Sequence, residues 1–523
     1  AEQMKDEIFF RDKLEDEWEA NEVYAILSEC DKDFEPPLSE RGSTVQKTWE
    51  KKSGDGVRNY FNEVAKQHIL LLKREKKIIA FLSFRSMEEC EALKDYRDIC
   101  YFTTLCIRKE YRGQGLALVL YQKAKEYVEE SSRYTVMALR TWSTNKAQLH
   151  LMEKMDFHCE TRLKNDRGEG IDTLYFVKEI TGKGIRAYGY TIGNGKCGIR
   201  NTITDVPGVK VGHYTVRKGK NQTGVTVIIP CDGFVYERKP LAAVYALNGF
   251  GKTQGTVQIE ELGVLETPIA LTNTLNVGKA ADGLVTFTEK ECRKNGKELV
   301  SVNPVVGETN DSRINQITER VIEAEDVLFA IEHAEKNFKQ GAVGAGRGTV
   351  CFGLKGGIGS ASRILTFGGK EYTIGVLVQS NFGKTQDLTV AGVPVGRQIC
   401  TKMQNSAKED KGSIMVIVGT DLPLGERQLK RVLKRAAVGL IRTGSFMGHG
   451  SGDVFIGFTN ANGIPDTKEE QFHMMKYFPE NQLDKVFRLV AEAVEESILN
   501  SLTCAKAMPG RDGEIYHSLS EFL

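Results

Sequence analysis

An α/β protein of two domains is the fold class that three observations predict. The chain has 523 residues, too many for one ordinary core, and about 150 residues per domain gives two to four units. Its character changes near residue 180. Residues 1–180 are rich in Lys, Glu and aromatics, whereas the sequence beyond is rich in Gly and β-branched residues. In both parts short apolar strand patterns alternate with helical ones.

Composition narrows the partners. A hydrophobic fraction of 41% allows sizeable cores, and 27% charged residues is ordinary. A net charge of +1 creates no field to draw the chain to nucleic acid or an acidic membrane, which leaves small molecules and peptides. The 11 cysteines are scattered singly, with no CxxC pair. Reduced thiols are expected rather than a secreted disulfide framework. No apolar run reaches the ~18 residues of a membrane helix, and Ala1–Glu7 has no signal-peptide apolar region. The expected location is the cytoplasm.

In the first domain, Ile69–Leu72 and Ile78–Phe84 read as strands around the charged turn Lys73–Lys77. Phe102–Ile107 reads as a strand and Leu116–Glu129 as a helix, with Arg112-Gly113-Gln114-Gly115-Leu116-Ala117 between them. Glycines there let the backbone approach a ligand, and amides opening a helix favour a pyrophosphate. A second strand ends in Thr141-Trp-Ser-Thr-Asn145, and a helix closes in Leu151-Met-Glu-Lys-Met-Asp-Phe157. Over roughly residues 5–180 this arrangement resembles the GNAT superfamily of acyl-CoA N-acyltransferases. The resemblance implies a mixed α/β fold, acetyl-CoA as cofactor and transfer to an amine. It assigns the pyrophosphate loop to Arg112, Gly113, Gln114, Gly115 and Ala117, the pantetheine-binding strand to Leu105–Ile107, and a CoA-facing side chain to Asn145. One position departs from the pattern. The tyrosine that protonates the leaving thiolate in the common family signature is Met152 here, and a thioether donates no proton.

Glycines cluster from Thr181 to Asn201, which suits a linker over 181–200 before a second domain over 201–523. Strands are expected at Gly224–Ile229 and Tyr372–Val378, and amphipathic helices at about Arg313–Lys339 and Leu424–Arg442. Lys411-Gly412-Ser413-Ile-Met-Val-Ile-Val places a Gly-Ser pair immediately before a buried-looking strand. Gly448-His-Gly-Ser451-Gly-Asp453-Val-Phe opens another. Residues at i and i+2 of a strand share a face, so Ser451 and Asp453 can act together. Val376-Leu-Val-Gln-Ser-Asn381 ends a third strand with a side-chain amide suited to an oxyanion.

These stretches occur in order with Gly198–Gly212, Leu271–Leu275, Pro304–Asp311 and Cys351–Gly359. The region from about Gly198 to Asn462 resembles the L-aminopeptidase/D-esterase family, which includes the β-aminopeptidases and nylon-oligomer hydrolases. The resemblance implies a four-layer α/β/β/α fold of the N-terminal-nucleophile type. It also implies self-cleavage between Gly412 and Ser413 into two subunits that stay together, and a homo-oligomer of processed protomers. In the family roles, Ser451 and Asp453 polarise and orient Ser413 while Asn381 binds the oxyanion. The family motif often has Glu where Asp453 stands.

The chemistry is intelligible from the residues. A serine hydroxyl needs a base, and cleavage before Ser413 would create an α-amine of pKa ~7.7–8.0 on the nucleophile itself. Glu308, in Gly-Glu-Thr-Asn310-Asp, is a candidate grip for a substrate's free ammonium, with Asn310 beside it. Phe250-Gly-Lys-Thr and Phe382-Gly-Lys-Thr are not P-loops, because the glycine required five residues earlier is Ala246 or Val378. No HExxH or clustered Cys/His spacing is present, so no catalytic metal is expected. The expected activity is an autoprocessing aminopeptidase or amidase on small peptides, amides or esters, fused to an acetyltransferase. An uncleaved binding protein with an acyl-CoA sensor is the alternative.

Overall fold

A computed structural model describes residues 6–44, 56–87, 90–131, 134–404 and 412–523. The chain divides into two compact units, Ala1–Ile180 and Thr181–Leu523. Lys411, which opens the Gly-Ser motif, lies outside the described residues.

The first unit runs β1 (Asp6–Arg11), α1 (Glu17–Cys30), α2 (Arg58–Val64), β2 (His68–Arg74), β3 (Lys77–Met87), β4 (Ile99–Ile107), α3 (Leu116–Glu130), β5 (Val136–Trp142), α4 (Lys146–Lys154), β6 (His158–Leu163) and β7 (Thr173–Glu179). Its sheet has the order β1-β2-β3-β4-β5-β7-β6. Leu120, Ala124, Met152 and Phe157 pack with Leu82, Phe84 and Phe102 on one face. Val23, Leu27, Tyr60 and Phe61 cover Leu71 and Phe81 on the other. Among the described residues, the parallel pairing of β4 with β5 extends only over Ile99–Phe102 against Val136–Leu139. Beyond it the strands part, and a cleft opens where they separate.

The second unit has four layers. One sheet pairs its strands in the order β10 (Arg238–Gly249), β18 (Gly452–Pro465), β17 (Ser413–Thr420), β16 (Lys370–Asn381) and β15 (Ile358–Phe367). The other is ordered β12 (Val305–Thr309), β11 (Ile269–Asn273), β9 (Asn221–Ile229) and β8 (Lys210–Lys218). Alternation along each strand builds the layers. On β17, Met415 and Ile417 meet Ile228, Leu271 and Val305 between the sheets. Ile414, Val416 and Val418 turn outward against α9 (Glu426–Arg442) and α10 (Leu483–Cys504). The smaller sheet buries its outer face under α6 (Val277–Lys294) and α7 (Ala324–Glu332). Between α7 and β15 lies a hairpin of two short strands, β13 (Val350–Cys351) and β14 (Leu354–Lys355).

Two sequence expectations change. The stretch 181–200, expected as a linker, is laid along α10. Gly182 N–H bonds the Cys504 carbonyl at 2.7 Å, Arg186 bonds Glu496 at 2.6 Å, and Ile185 and Ile192 are buried. Its glycines serve close approach: a Cβ at Gly182 would stand 2.2 Å from the Thr503 carbonyl oxygen. The expected helix over Arg313–Lys339 is only α7. Arg320 takes a left-handed φ of 46°, and the reciprocal Glu323–Asp326 capping box starts the helix at Ala324. All the cysteines are free thiols. Among the described residues, no helix is long and apolar enough to cross a membrane.

Candidate functional site

Three strand ends of the larger sheet converge on one point. Pairing sets Asn381, the last residue of β16, opposite Ser413, the first of β17, and β18 begins beside them. Ser413 is buried, and its Oγ accepts a hydrogen bond of 3.1 Å from the Gly452 amide. The hydroxyl proton is thereby left for a base. Gly412 is required by packing: a Cβ there would lie 1.8 Å from the Asn381 carbonyl oxygen.

Ser451 and Asp453 are brought together, the serine hydroxyl donating to Asp453 Oδ1 at 2.8 Å. No hydrogen bond joins Ser451 directly to Ser413 among the described residues; the contact with the nucleophile runs through the peptide of Gly452, which the pair flanks. Asn248, at the end of β10, anchors this loop by donating to the carbonyls of Gly448 at 3.1 Å, His449 at 3.3 Å and Ser451 at 2.5 Å.

A cavity of about 300 Å³ opens in front of Ser413, lined by Asn381, Gly412, Glu308, Asn310, Phe250, Lys252 and Thr274 among others. Glu308, nearly the last residue of β12, is buried. Its Oε1 accepts the Lys252 amide at 2.9 Å and its Oε2 accepts the Thr274 hydroxyl. Both donors orient the carboxylate while leaving lone pairs for a ligand. Asn310 stands on the rim, its Oδ1 accepting the Ser312 amide at 3.0 Å. The next residue, Asp311, is an anchor. It accepts from the Thr223 hydroxyl at 2.6 Å and the Asn315 amide at 3.0 Å, and burial pushes its pKa up to about 6.

The orientation of Asn381 follows from a neighbour. Val350 N–H donates to its Oδ1 at 3.0 Å, so the carboxamide NH₂ is what remains for a developing oxyanion. Val350 belongs to the β13–β14 hairpin, and the fully buried Lys355 holds that hairpin in place. Its Nζ reaches the carbonyls of Gly346 at 2.9 Å, Thr349 at 2.8 Å and Gly356 at 2.6 Å. Burial and nearby Arg347 push its pKa down, yet three carbonyl acceptors match the three N–H of an ammonium. We assign the charged form on that geometry.

In the first unit the cleft between β4 and β5, about 390 Å³, is lined by Leu105, Ile107, Arg112, Gly113, Gly115, Ala117 and Asn145. Gly115, at φ 76°, caps α3 and turns the amides of its first turn into the opening. Gln114 is not in the lining; it accepts from Arg74 at 2.8 Å. The Arg112 guanidinium is occupied by Asp33 at 2.7 Å and the Ile107 carbonyl at 3.0 Å. An anion here would therefore meet backbone amides first. Asn145 caps α4 through Gln148 N–H at 3.3 Å and donates to the Thr141 hydroxyl at 3.1 Å. Glycines at left-handed φ, a helix N-terminus and parted strands together fit a pyrophosphate with an extended arm. Met152 is fully buried in the core. Tyr121 supplies a hydroxyl to the cleft, bonded by Gln148 at 3.1 Å.

Sequence reasoning had no signal for Gly452, Asn248, Lys252, Thr274, Val350 or Lys355 as parts of this machinery. Lys252, Thr274, Lys355 and Gly452 sit inside motifs of the sequence, but act by contacts that only the fold creates.

A serine at the start of an inner strand, facing a buried carboxylate across a small cavity in a four-layer α/β/β/α unit, defines a hydrolase of the N-terminal-nucleophile type. The comparisons with known proteins agree. Residues 201–516 match Peptidase family S58, and the chain belongs to that family. Residues 22–157 match the Acetyltransferase (GNAT) family. The chain is 37% identical over 343 residues, 61% of its own length and 85% of the relative's, to the beta-peptidyl aminopeptidase BapA of Sphingosinicella microcystinivorans. Among solved structures, the PH0078 protein of Pyrococcus horikoshii OT3 is 46% identical, with TM-score 0.61 over 64% of this chain and 96% of that one. The L-aminopeptidase D-Ala-esterase/amidase of Ochrobactrum anthropi is 33% identical, with TM-score 0.60 over 64% and 95%. This chain is thus an aminopeptidase of family S58 that carries a GNAT unit.

Proposed function

We propose that the chain cleaves itself before Ser413 and then removes N-terminal amino or β-amino acids from small peptides, amides or esters. The observation that carries this reading is the junction itself. Ser413 Oγ is held by the Gly452 amide, beside Asn381, in a cavity that also contains Glu308. In the precursor, Ser413 Oγ bonds to the Gly412 carbonyl carbon and the Gly412–Ser413 C–N bond breaks. An ester forms, and water hydrolyses it. The freed α-amine, with pKa ~7.7–8.0, then takes the hydroxyl proton as Ser413 attacks a substrate carbonyl. The Asn381 NH₂ meets the oxyanion, and Ser451 with Asp453 fixes the Gly452 peptide that positions the nucleophile. Glu308 pairs with the substrate's ammonium, which makes an unblocked N-terminus a requirement.

For the first unit the proposed activity is N-acetyl transfer from acetyl-CoA, bound by the α3 amides with Leu105–Ile107 and Asn145. Acetyl-CoA would supply an activated acyl group as its thioester. The residues present hold and orient it, and with Met152 in the core the Tyr121 hydroxyl is the proposed proton source for the leaving sulfur.

Aminoacyl and β-aminoacyl p-nitroanilides test the hydrolase. kcat/KM should rise with pH through one ionisation near ~7–8, and N-acetylated versions should be refused. A flat profile from about pH 6 to 9 would remove the α-amine from its role.

A further inference from the structure

The cavity in front of Ser413 holds a cation that the reaction proposed above does not use. Lys252 lines it together with Phe250, Glu308 and Ser413. Its backbone amide is the donor to Glu308 Oε1 at 2.9 Å. Its side chain turns away from that carboxylate, and Nζ lies 4.7 Å over the Phe250 ring. Among the described residues, Nζ pairs with no carboxylate. Phe250 is itself exposed, so this contact leaves the three N–H donors of the ammonium to water or to a ligand. The strap Phe250–Lys252 runs between the nucleophile and the ammonium anchor. A Cβ at Gly452, whose amide bonds Ser413, would lie 2.6 Å from the Phe250 carbonyl oxygen. A Cβ at Gly251 would lie 3.6 Å from Glu308 Oε1 and 3.8 Å from Gly452 Cα. Phe250 therefore marks the nucleophile end of the strap and Lys252 the Glu308 end.

A site for a bare ammonium gains nothing from this lysine. Glu308 attracts the substrate's ammonium, and a second cation beside it repels the same group. The repulsion becomes attraction when the substrate carries an anion next to its ammonium. In an ordinary α-peptide the first residue has none there, because its α-carboxyl forms the scissile bond. A residue joined through its side-chain carboxyl keeps the α-carboxylate free, on the carbon that bears the ammonium. β-Linked aspartate is such a residue. Its ammonium stands on the carbon β to the scissile carbonyl, so it is a β-aminoacyl group with a carboxylate as substituent. A carboxylate on the leaving residue would instead lie beyond Ser413, away from the Glu308 end. The other cation of the lining, Arg313, belongs to a different wall, its carbonyl accepting the Arg511 amide at 3.0 Å.

We propose that Glu308 and Lys252 together receive a zwitterionic head group, ammonium on the first and carboxylate on the second, so that the hydrolase releases aspartate from β-aspartyl peptides in preference to plain β-amino or α-amino acids. The proposal rests on the aminopeptidase reading given above. Ser413 Oγ bonds to the side-chain carbonyl carbon of the β-aspartyl residue, and the C–N bond to the next residue breaks. The hydroxyl proton passes through the α-amine of Ser413 to the departing nitrogen. Water then hydrolyses the ester, which frees aspartate and restores the serine. Lys252 touches only the carboxylate, so its part is selection of the substrate and not the chemistry.

The full-length protein is assayed for release of free amino acids from four substrates. These are β-aspartyl-leucine, β-alanyl-leucine, which has the same backbone without the carboxylate, β-alanyl-leucinamide and leucyl p-nitroanilide. kcat/KM for β-aspartyl-leucine should exceed that for β-alanyl-leucine by about tenfold or more, the range for a hydrogen bond between charged groups, with most of the difference in KM. The ratio of the two is read within each variant, so a general loss of activity cancels. Lys252→Arg should keep the ratio, Lys252→Met should bring it to about one, and Lys252→Glu should invert it. Equal rates on β-aspartyl- and β-alanyl-leucine, or hydrolysis of leucyl p-nitroanilide alone, would overturn the proposal and leave the aminopeptidase reading standing. A ratio that survives Lys252→Met would overturn it as well. So would a dependence on Lys252 that separates β-alanyl-leucine from its amide instead, because the cation would then face the leaving residue. Hydrolysis of none of the four would remove the aminopeptidase reading and the proposal with it.

Discussion

The two candidate sites are assembled from different materials. Around Ser413, polar atoms are assigned by backbone groups: Gly452 N–H for the nucleophile, Val350 N–H for Asn381, Lys252 N–H for Glu308. The groups that would perform the chemistry all belong to the chain, so folding alone can complete the site. In the first unit the cleft is walled by side chains from separate elements, Phe34, Leu105, Arg140, Trp142 and Asn145, around the start of α3. Its chemistry is brought by the substrates, and the protein's part is to place two of them together. A self-sufficient nucleophile tolerates little change at its backbone, whereas a docking cleft can lose one contact and still bind.

Substitutions can break that comparison, the largest effect first. Ser413→Ala should abolish self-cleavage and lower hydrolysis by ~10⁴-fold or more, read on any accepted p-nitroanilide. Asn381→Ala should lower kcat by ~10²–10³-fold with little change in KM, the pattern of an interaction made in the transition state. Equal loss in KM and none in kcat would place Asn381 in ground-state binding. Glu308→Gln should raise KM for free-amine substrates by roughly 10- to 100-fold, the range for a hydrogen bond to a charged group, while kcat changes less. In the first unit, Gly115→Val should weaken acetyl-CoA binding about tenfold, because a side chain at φ 76° strains the cap. Hydrolysis should be unaffected.

The smallest effects concern pH and stability. The half-buried His213 meets the Lys339 carbonyl at 2.8 Å and the Thr226 hydroxyl at 2.9 Å, and enclosure of its ring pushes its pKa from 6.5 to about 4. Between these values the folded unit binds fewer protons than the unfolded chain. Its stabilising contribution is full above pH 6.5 and is lost as pH falls. Asp311 acts in reverse: raised from 3.8 to about 6, it makes the folded state the better proton binder, so stability falls as pH rises through that window. The two act in opposite directions over overlapping pH ranges. Asp311→Asn should therefore expose a loss of stability on acidification, and His213→Gln the opposite slope, both measured by pulse proteolysis in urea between about pH 4.5 and 6.5.

Much of this was legible in sequence because the motifs are local. Gly412-Ser413, Ser451-Gly-Asp453 and Glu308 each stand at a strand end that alternation could locate, and the structure sets Ser413, Asn381 and Glu308 around one cavity. What sequence could not show are contacts between distant segments and contacts made by amides. Any residue at position 452 offers an N–H, so nothing in its identity announces a bond to Ser413. Lys355 reads as a surface lysine until the hairpin closes over it. The glycines of 181–200 look flexible because the helix they lie against is about 300 residues away in the chain.

The central claim is that the nucleophile is made by cutting the chain. Intact-mass measurement of purified full-length protein, incubated at neutral pH beside Ser413→Ala, tests it most directly. Wild type should resolve into fragments 1–412 and 413–523, the second beginning Ser-Ile-Met-Val, with hydrolase activity rising in step, while the variant stays whole and inactive. A wild-type chain that remains full length yet hydrolyses aminoacyl p-nitroanilides would contradict the account.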